Sequence, residues 1–307
     1  MGEPAPTSNQ NQPSVGASGG RPPSSSGMPV PSAERTPTAE ATPLAGAGPA
    51  RERKGTGQPG RAAKGVVCYA HRGARAHAPE NTLAAFTLAF ELGAEGIECD
   101  VQRTRDGRLV IVHDGTVDRT TDGTGPVAEQ CFDELRALNA GARFHRRQMI
   151  PTLDEVLELV ARRGGELNLE IKGESVEEAL ATAEAVEPAL RALEDGRRPH
   201  VLVSSFAHPA VEVLKARLPW LRVALLYGDE WRGQDLIAPA QALGAEAIHP
   251  GAKLVTPELI QRAHEAGLRV NVWTANRRGV IRRLIAWGVD GLFSDYPERV
   301  VAAREAR

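Results

Sequence analysis

The chain has 307 residues and a formal net charge of −2, with 25% charged and 4% aromatic residues. So balanced a charge excludes nucleic acid as the expected partner, and no window reaches the roughly 18 apolar residues of a transmembrane helix. The N-terminus lacks the apolar core of a secretory signal. The three cysteines (Cys68, Cys99, Cys131) show no paired spacing, so a reducing, cytoplasmic location is the expectation.

Residues 1–64 hold half of the 22 prolines and neither an aromatic residue nor an isoleucine. Such a segment buries too little apolar surface to offset its ordering entropy, so it is expected to be a disordered tail. Residues 65–307 suit one α/β barrel domain. VVCYAH (66–71) is a β-rich run ending on His71-Arg72-Gly73. Asn81-Thr82 then opens a helix whose Leu83, Phe86, Ala89 and Phe90 recur at helical spacing, with Gly93 as its stop. IECDV (97–101) alternates, so Glu98 and Asp100 point to one face of a strand. Arg105-Asp106-Gly107 signals a tight turn into LVIVHD, which ends on His113-Asp114. A turn that short cannot hold the crossover a parallel pair needs, so one of these segments bends or runs antiparallel.

Residues 115–151 are rich in Thr, Asp and Gly and carry one short helix, FDELRALN. Thr152 is the expected N-cap of the next helix, with Glu155 completing a capping box. ELNLEIK (166–172) is a strand with Glu170 and Lys172 on one face, and a helix from Ser175 to about Leu193 follows. Strand and helix then alternate through HVLVSSF, RVALLY, AIHP, RVNVWT and GLFSDY to a closing helix. This order implies βαβ units and a parallel sheet. The count is nine strands where a closed (β/α)8 barrel of the TIM type takes eight, and the Arg-Asp-Gly hairpin supplies the surplus.

Glu98, Asp100 and Glu170 are three carboxylates from two strands. Ile97, Cys99 and Val101 read as a buried strand, where unpaired carboxylates are costly, so a metal site is favoured over a solvated acidic face. Hard oxygen donors without clustered His or Cys suit Mg²⁺, Ca²⁺ or Mn²⁺. His71 and His113 each end an apolar strand, and as a pair they suit a general acid and base. Arg72 and Lys172 offer positive charge for a substrate anion, although Lys172 stands equally as a salt-bridge partner of Glu170 or Glu98. Trp273 lies near a strand end, where it packs either in the core or against a small substrate. The six other histidines (His77, His145, His200, His208, His249, His264) read as surface, loop or capping residues. Ser204-Ser205 has no base nearby in sequence.

The ordered set HRG, PENT (79–82), ExD (98, 100), HD (113, 114), ExK (170, 172), SSF, WT (273, 274) and SDYP resembles the glycerophosphodiester phosphodiesterases over about residues 66–301. The resemblance implies a TIM-barrel enzyme that hydrolyses glycerophosphodiesters to sn-glycerol 3-phosphate and an alcohol. It further implies His71 and His113 as the acid/base pair and Glu98, Asp100 and Glu170 as ligands of a divalent cation. Arg72 and Lys172 would hold the phosphate, Glu80 and Asn81 would shape the site, and Trp273 would contact the glycerol carbons. Two other readings stand beside this one. Hydrolysis of a lysophospholipid would need an exposed apolar groove, and no amphipathic lid or long loop in the sequence announces one. A barrel that only binds is disfavoured by the complete charged set.

Overall fold

The structure, a computed structural model, describes residues 65–193 and 200–306. The expected disorder of residues 1–64 lies outside the described residues. In chain order the regular elements begin β1 (Val67–Ala70), α1 (Leu83–Glu91), β2 (Gly96–Arg103), β3 (Leu109–Ile111), α2 (Phe132–Ala137) and α3 (Leu153–Arg163). They continue β4 (Glu166–Ile171), α4 (Val176–Arg191), β5 (His200–Ser205), α5 (His208–Arg217), β6 (Arg222–Tyr227) and α6 (Ile237–Leu243). The last are β7 (Ala247–Pro250), α7 (Pro257–Glu265), β8 (Arg269–Val272), α8 (Arg278–Trp287), β9 (Gly291–Ser294) and α9 (Pro297–Glu305).

Eight strands, β1, β2 and β4 to β9, pair in parallel all the way round, and β1 joins both β9 and β2. The barrel is closed. Ile97, Cys99 and Val101 enter the large apolar layer between barrel and helices. Alternation then turns Glu98 and Asp100 into the barrel interior. The same register sets Glu98 beside Asn168 and Asp100 beside Glu170 on β4. At the amino-terminal end of the strands the Tyr69 hydroxyl donates to Glu166 at 2.7 Å, and Arg222 grips Glu246 through two bonds of 2.6 Å.

The ninth strand, β3, is the expected surplus and runs antiparallel to β2, with Val101 opposite Ile111. It fills the flank that β1 leaves open, since β1 meets β2 only at Gly96 and Ile97. Its reversed course carries the chain back toward the site, where the Val112 N–H donates to the Asp100 carbonyl at 3.0 Å. The excursion that follows has its own small core, including Val117, Val127 and Leu135.

The expected caps are present: Thr82 accepts from the Ala85 N–H, and Thr152 and Glu155 form the capping box of α3. Helix α2 stops at Ala137, short of the FDELRALN expectation, and Asp122 takes the Asn139 N–H at 2.7 Å. His249 is a correction. It is wholly buried on β7, accepts from Asn271 Nδ2 at 3.0 Å and is neutral, burial pushing its pKa down to about 3. His77 and His264 have carboxylate partners in Glu298 and Asp290.

The turn after β1 is built on Arg72 and Gly73, with φ of 56° and 79°. A Cβ at Gly73 would lie 2.7 Å from the Ala85 carbonyl carbon, so α1 packs directly on the turn. Replacing Gly73 by Ala combines a left-handed backbone with that clash and should cost about 2 kcal/mol. Urea unfolding measures it; a midpoint equal to wild type would show that α1 yields freely there.

Candidate active site

Strand β2 delivers Glu98 and Asp100, and β4 delivers Glu170, onto one wall of the barrel mouth. All three are buried. Each offers a carboxylate oxygen, and the three lie within 4.8 Å of one another. Glu98 Oε1 and Asp100 Oδ1 are buried without a hydrogen-bond partner. Arg72 and Lys172 bring two positive charges against three negative ones: Arg72 Nε lies 3.4 Å from Asp100, and Lys172 Nζ lies 2.9 Å from Glu170 and 3.8 Å from Asp100. Burial and the charges of Asp100 and Glu170 push the Glu98 carboxyl well above the usual range. Burial acts the same way on Asp100, but Lys172 and Arg72 outweigh it and hold its pKa low. Buried carboxylate oxygens without hydrogen-bond partners, close enough to share one ligand, fit a divalent cation.

Two histidines flank this cluster, each held by a carboxylate. His71 Nδ1 lies 2.7 Å from Asp295 Oδ1, and His113 Nδ1 lies 2.6 Å from Asp114 Oδ1. Each carboxylate accepts the Nδ1 proton and leaves Nε2 as the unprotonated nitrogen of the neutral ring. Burial lowers the pKa of both rings against the pull of Asp295 and Asp100, so both are neutral near pH 7. Lys172 Nζ stands 3.3 Å from His113 Nε2, a contact that a neutral ring can accept. Lys172 is therefore at once a salt-bridge partner and a cation facing the mouth.

The pocket itself is divided. One half is polar, with His71, Arg72, Glu98, His113 and Glu170; the other is apolar, with Phe206, Leu226, Trp273 and Phe293. Trp273 is fixed by its indole N–H, which donates to the His249 carbonyl at 2.8 Å, and Phe206 meets it edge-on at 5.4 Å. Glu80 and Asn81 stand behind the polar half. Asn81 Nδ2 donates to Asp100 at 2.8 Å and Glu80 binds Arg72 at 3.0 Å.

The profile of the glycerophosphoryl diester phosphodiesterase family matches residues 71–299. The chain belongs to this family. A glycerophosphodiester phosphodiesterase of Caldanaerobacter subterraneus subsp. tengcongensis is 38% identical over 247 residues, covering 77% of this chain and 96% of the relative. One from Bacillus altitudinis is 35% identical over 243 residues, covering 77% of this chain and 97% of the relative. Among solved structures, an Oleispira antarctica phosphodiesterase in complex with the product sn-glycerol-3-phosphate is 31% identical, with a TM-score of 0.72. That match covers 78% of this chain and 96% of the other.

In this member of the family, all ten residues expected from sequence meet at one barrel mouth. Four supporting residues were not anticipated. Asp295, from the SDYP run, holds His71 and is itself held by Asn276 Nδ2 at 2.8 Å. Arg119 grips Asp114 at 2.5 and 2.9 Å and Glu80 at 2.9 and 2.7 Å, tying the second histidine to the PENT turn. Phe206 doubles the aromatic wall. Arg119 sits in a loop of unremarkable spacing, so no periodicity could have flagged it. Asp295, by contrast, follows a strand end and shared the signal that marked His71.

Glu80 carries a pH signature. Burial raises its pKa, but hydrogen bonds from Arg119 and the charges of Arg72 and Arg75 outweigh burial and hold it at about 2. A carboxyl that ionises more readily when folded adds stability above its unfolded value of 4.5, and loses it as pH falls toward about 2. The advantage of wild type over Glu80→Gln should therefore shrink by about 2 kcal/mol from about pH 5.5 to about pH 3. Urea titrations at each pH read it; an advantage constant with pH would contradict the assignment.

Proposed function

We propose that the protein hydrolyses glycerophosphodiesters to sn-glycerol 3-phosphate and an alcohol, in a divalent-cation-dependent reaction with His71 and His113 as acid and base. The observation that carries this reading is the meeting of three buried carboxylates with two histidine–carboxylate pairs at one mouth. Glu98, Asp100 and Glu170 are the residues that would hold the cation. When bound, a divalent cation supplies positive charge to the phosphodiester oxygens and favours the transition state over the ground state.

The chain's own groups do the rest. Arg72 and Lys172 face a phosphodiester that is already anionic and draw it against the polar half of the mouth. Asp295 and Asp114 hold the two imidazoles in the tautomer with an unprotonated Nε2. One ring takes the proton of the attacking oxygen on its Nε2; the other must first take up a proton from solvent on its Nε2, and gives that proton to the departing alkoxide. A ring neutral at rest suits the base, and a lowered pKa makes the other ring a stronger acid once it has taken up its proton. Trp273, with Phe206 beside it, offers an aromatic face to the carbon skeleton of glycerol. Ser204 and Ser205 take no part as nucleophiles, since Ser205 Oγ donates to the Ile171 carbonyl at 2.8 Å and Ser204 Oγ accepts from Asn168 at 3.0 Å.

Release of sn-glycerol 3-phosphate from glycerophosphodiesters and lysophospholipids, with Mg²⁺, Ca²⁺, Mn²⁺ or a chelator, tests the reading. Turnover of the glycerophosphodiesters should vanish with chelator and return with metal. His71→Ala and His113→Ala should each lower kcat by about 10²–10⁴-fold with little change in urea midpoint. Turnover confined to lysophospholipids would move the substrate, and near-wild-type kcat in either variant would remove that histidine from the chemistry.

A further inference from the structure

We propose that residues 142–149 form a docking loop for an anionic phospholipid bilayer. The loop's flanks, Ala140 and Ile150, line the cavity behind Glu80, Asn81 and His113, so it rises beside the active-site mouth. Arg143, Phe144, His145, Arg146, Arg147 and Met149 are all exposed. Phe144 and Met149, at 41% and 50%, are among the few large apolar side chains that the described residues leave in solvent.

The charge is as one-sided as the exposure. No Asp or Glu lies between Glu134 and Asp154. Among the described residues none of the three arginines is paired with a carboxylate, and Arg147 only reaches the Ala137 carbonyl at 3.5 Å. Arg119, which lies beside the same mouth, is by contrast gripped by Asp114 and Glu80. Between the loop and α1 runs an open groove of about 640 Å³ whose walls include Pro79, Leu83, Leu88, Phe144 and Arg146. Glu91 on α1 is the acidic side chain of its wall.

Unpaired guanidinium groups seek phosphate, and exposed Phe and Met seek an apolar layer. A bilayer meets both needs with one surface, charge at the headgroups and hydrocarbon just beneath. The chain's own N-terminal segment is a poor occupant, since residues 1–64 carry seven Lys and Arg against four Asp and Glu. The proposed substrate adds a chemical reason. A glycerophosphodiester is a phospholipid stripped of both acyl chains, so the ester hydrolyses that supply it take place at a membrane. Binding itself does not depend on the catalytic reading.

The test is co-sedimentation of the full chain with vesicles of phosphatidylcholine alone or of phosphatidylcholine with phosphatidylglycerol. Wild type should pellet only with the anionic vesicles and be released by added salt. The triple variant Arg143→Gln, Arg146→Gln, Arg147→Gln should lose about a hundredfold in partitioning. Phe144→Ser with Met149→Ser should lose less and keep the salt dependence. Both variants retain the N-terminal segment and should keep wild-type kcat on a water-soluble glycerophosphodiester, which also reports that they fold. Failure of wild type to pellet, equal pelleting with neutral vesicles, or undiminished pelleting of the triple variant overturns the proposal. Capture of polyglutamate without vesicle binding overturns it too, in favour of an acidic peptide.

Discussion

Three carboxylates held within 4.8 Å of one another in a barrel interior are the constraint around which the rest of this molecule is arranged. Left alone, they would repel one another in a medium that solvates them poorly. The fold answers with directed groups from separate parts of the chain. The Arg72 N–H donates to Glu98 at 2.8 Å, Asn81 donates to Asp100, and Lys172 reaches both Glu170 and Asp100. Arg72 and Asn81 each adopt a positive φ, 56° and 55°, and the Asn81 N–H donates to the Arg72 carbonyl at 3.0 Å. Two left-handed residues thus brace each other at the site, a local cost accepted where function is concentrated. What the protein leaves unanswered is two buried carboxylate oxygens without hydrogen-bond partners, which a divalent cation would fit.

The two histidines reach this cluster by different routes and end in the same chemical state. His71 arrives at the end of a barrel strand, whereas His113 arrives on a strand that runs against the barrel and fills the gap above β1. Each ring is oriented by a carboxylate, and each carboxylate is fixed by a further group, Asn276 for Asp295 and Arg119 for Asp114. Arg119 also binds Glu80, which binds Arg72. A continuous chain of hydrogen bonds thus joins the second histidine to Arg72.

Much of the site was legible because strand physics is local. Alternation along IECDV placed Glu98 and Asp100 together, and polar residues at the ends of apolar runs marked His71, His113, Glu170 and Lys172. The hairpin at Arg105-Asp106-Gly107 was readable as an exception, since its turn is too short for a crossover. Asp295, Arg119, Asn276 and Phe206 were missed because each matters only through a partner at least five residues away in the chain, or hundreds. His249 was misplaced for a related reason. Its strand, AIHP, is too short to reveal which face is buried, and only the packing of Asn271 and Phe293 against it settles that it lies inside.

The sequence by itself determined the alternating architecture, the caps and the inventory of charged groups, because periodicity, turn chemistry and residue type act over a few neighbouring positions. Only the tertiary structure decided how close the three carboxylates stand and what partners them, which nitrogen each histidine presents, and which arginines are left without a carboxylate. Those properties depend on distances across a closed barrel. Closure brings together residues that no local rule relates, and burial then sets the strength of every charge among them.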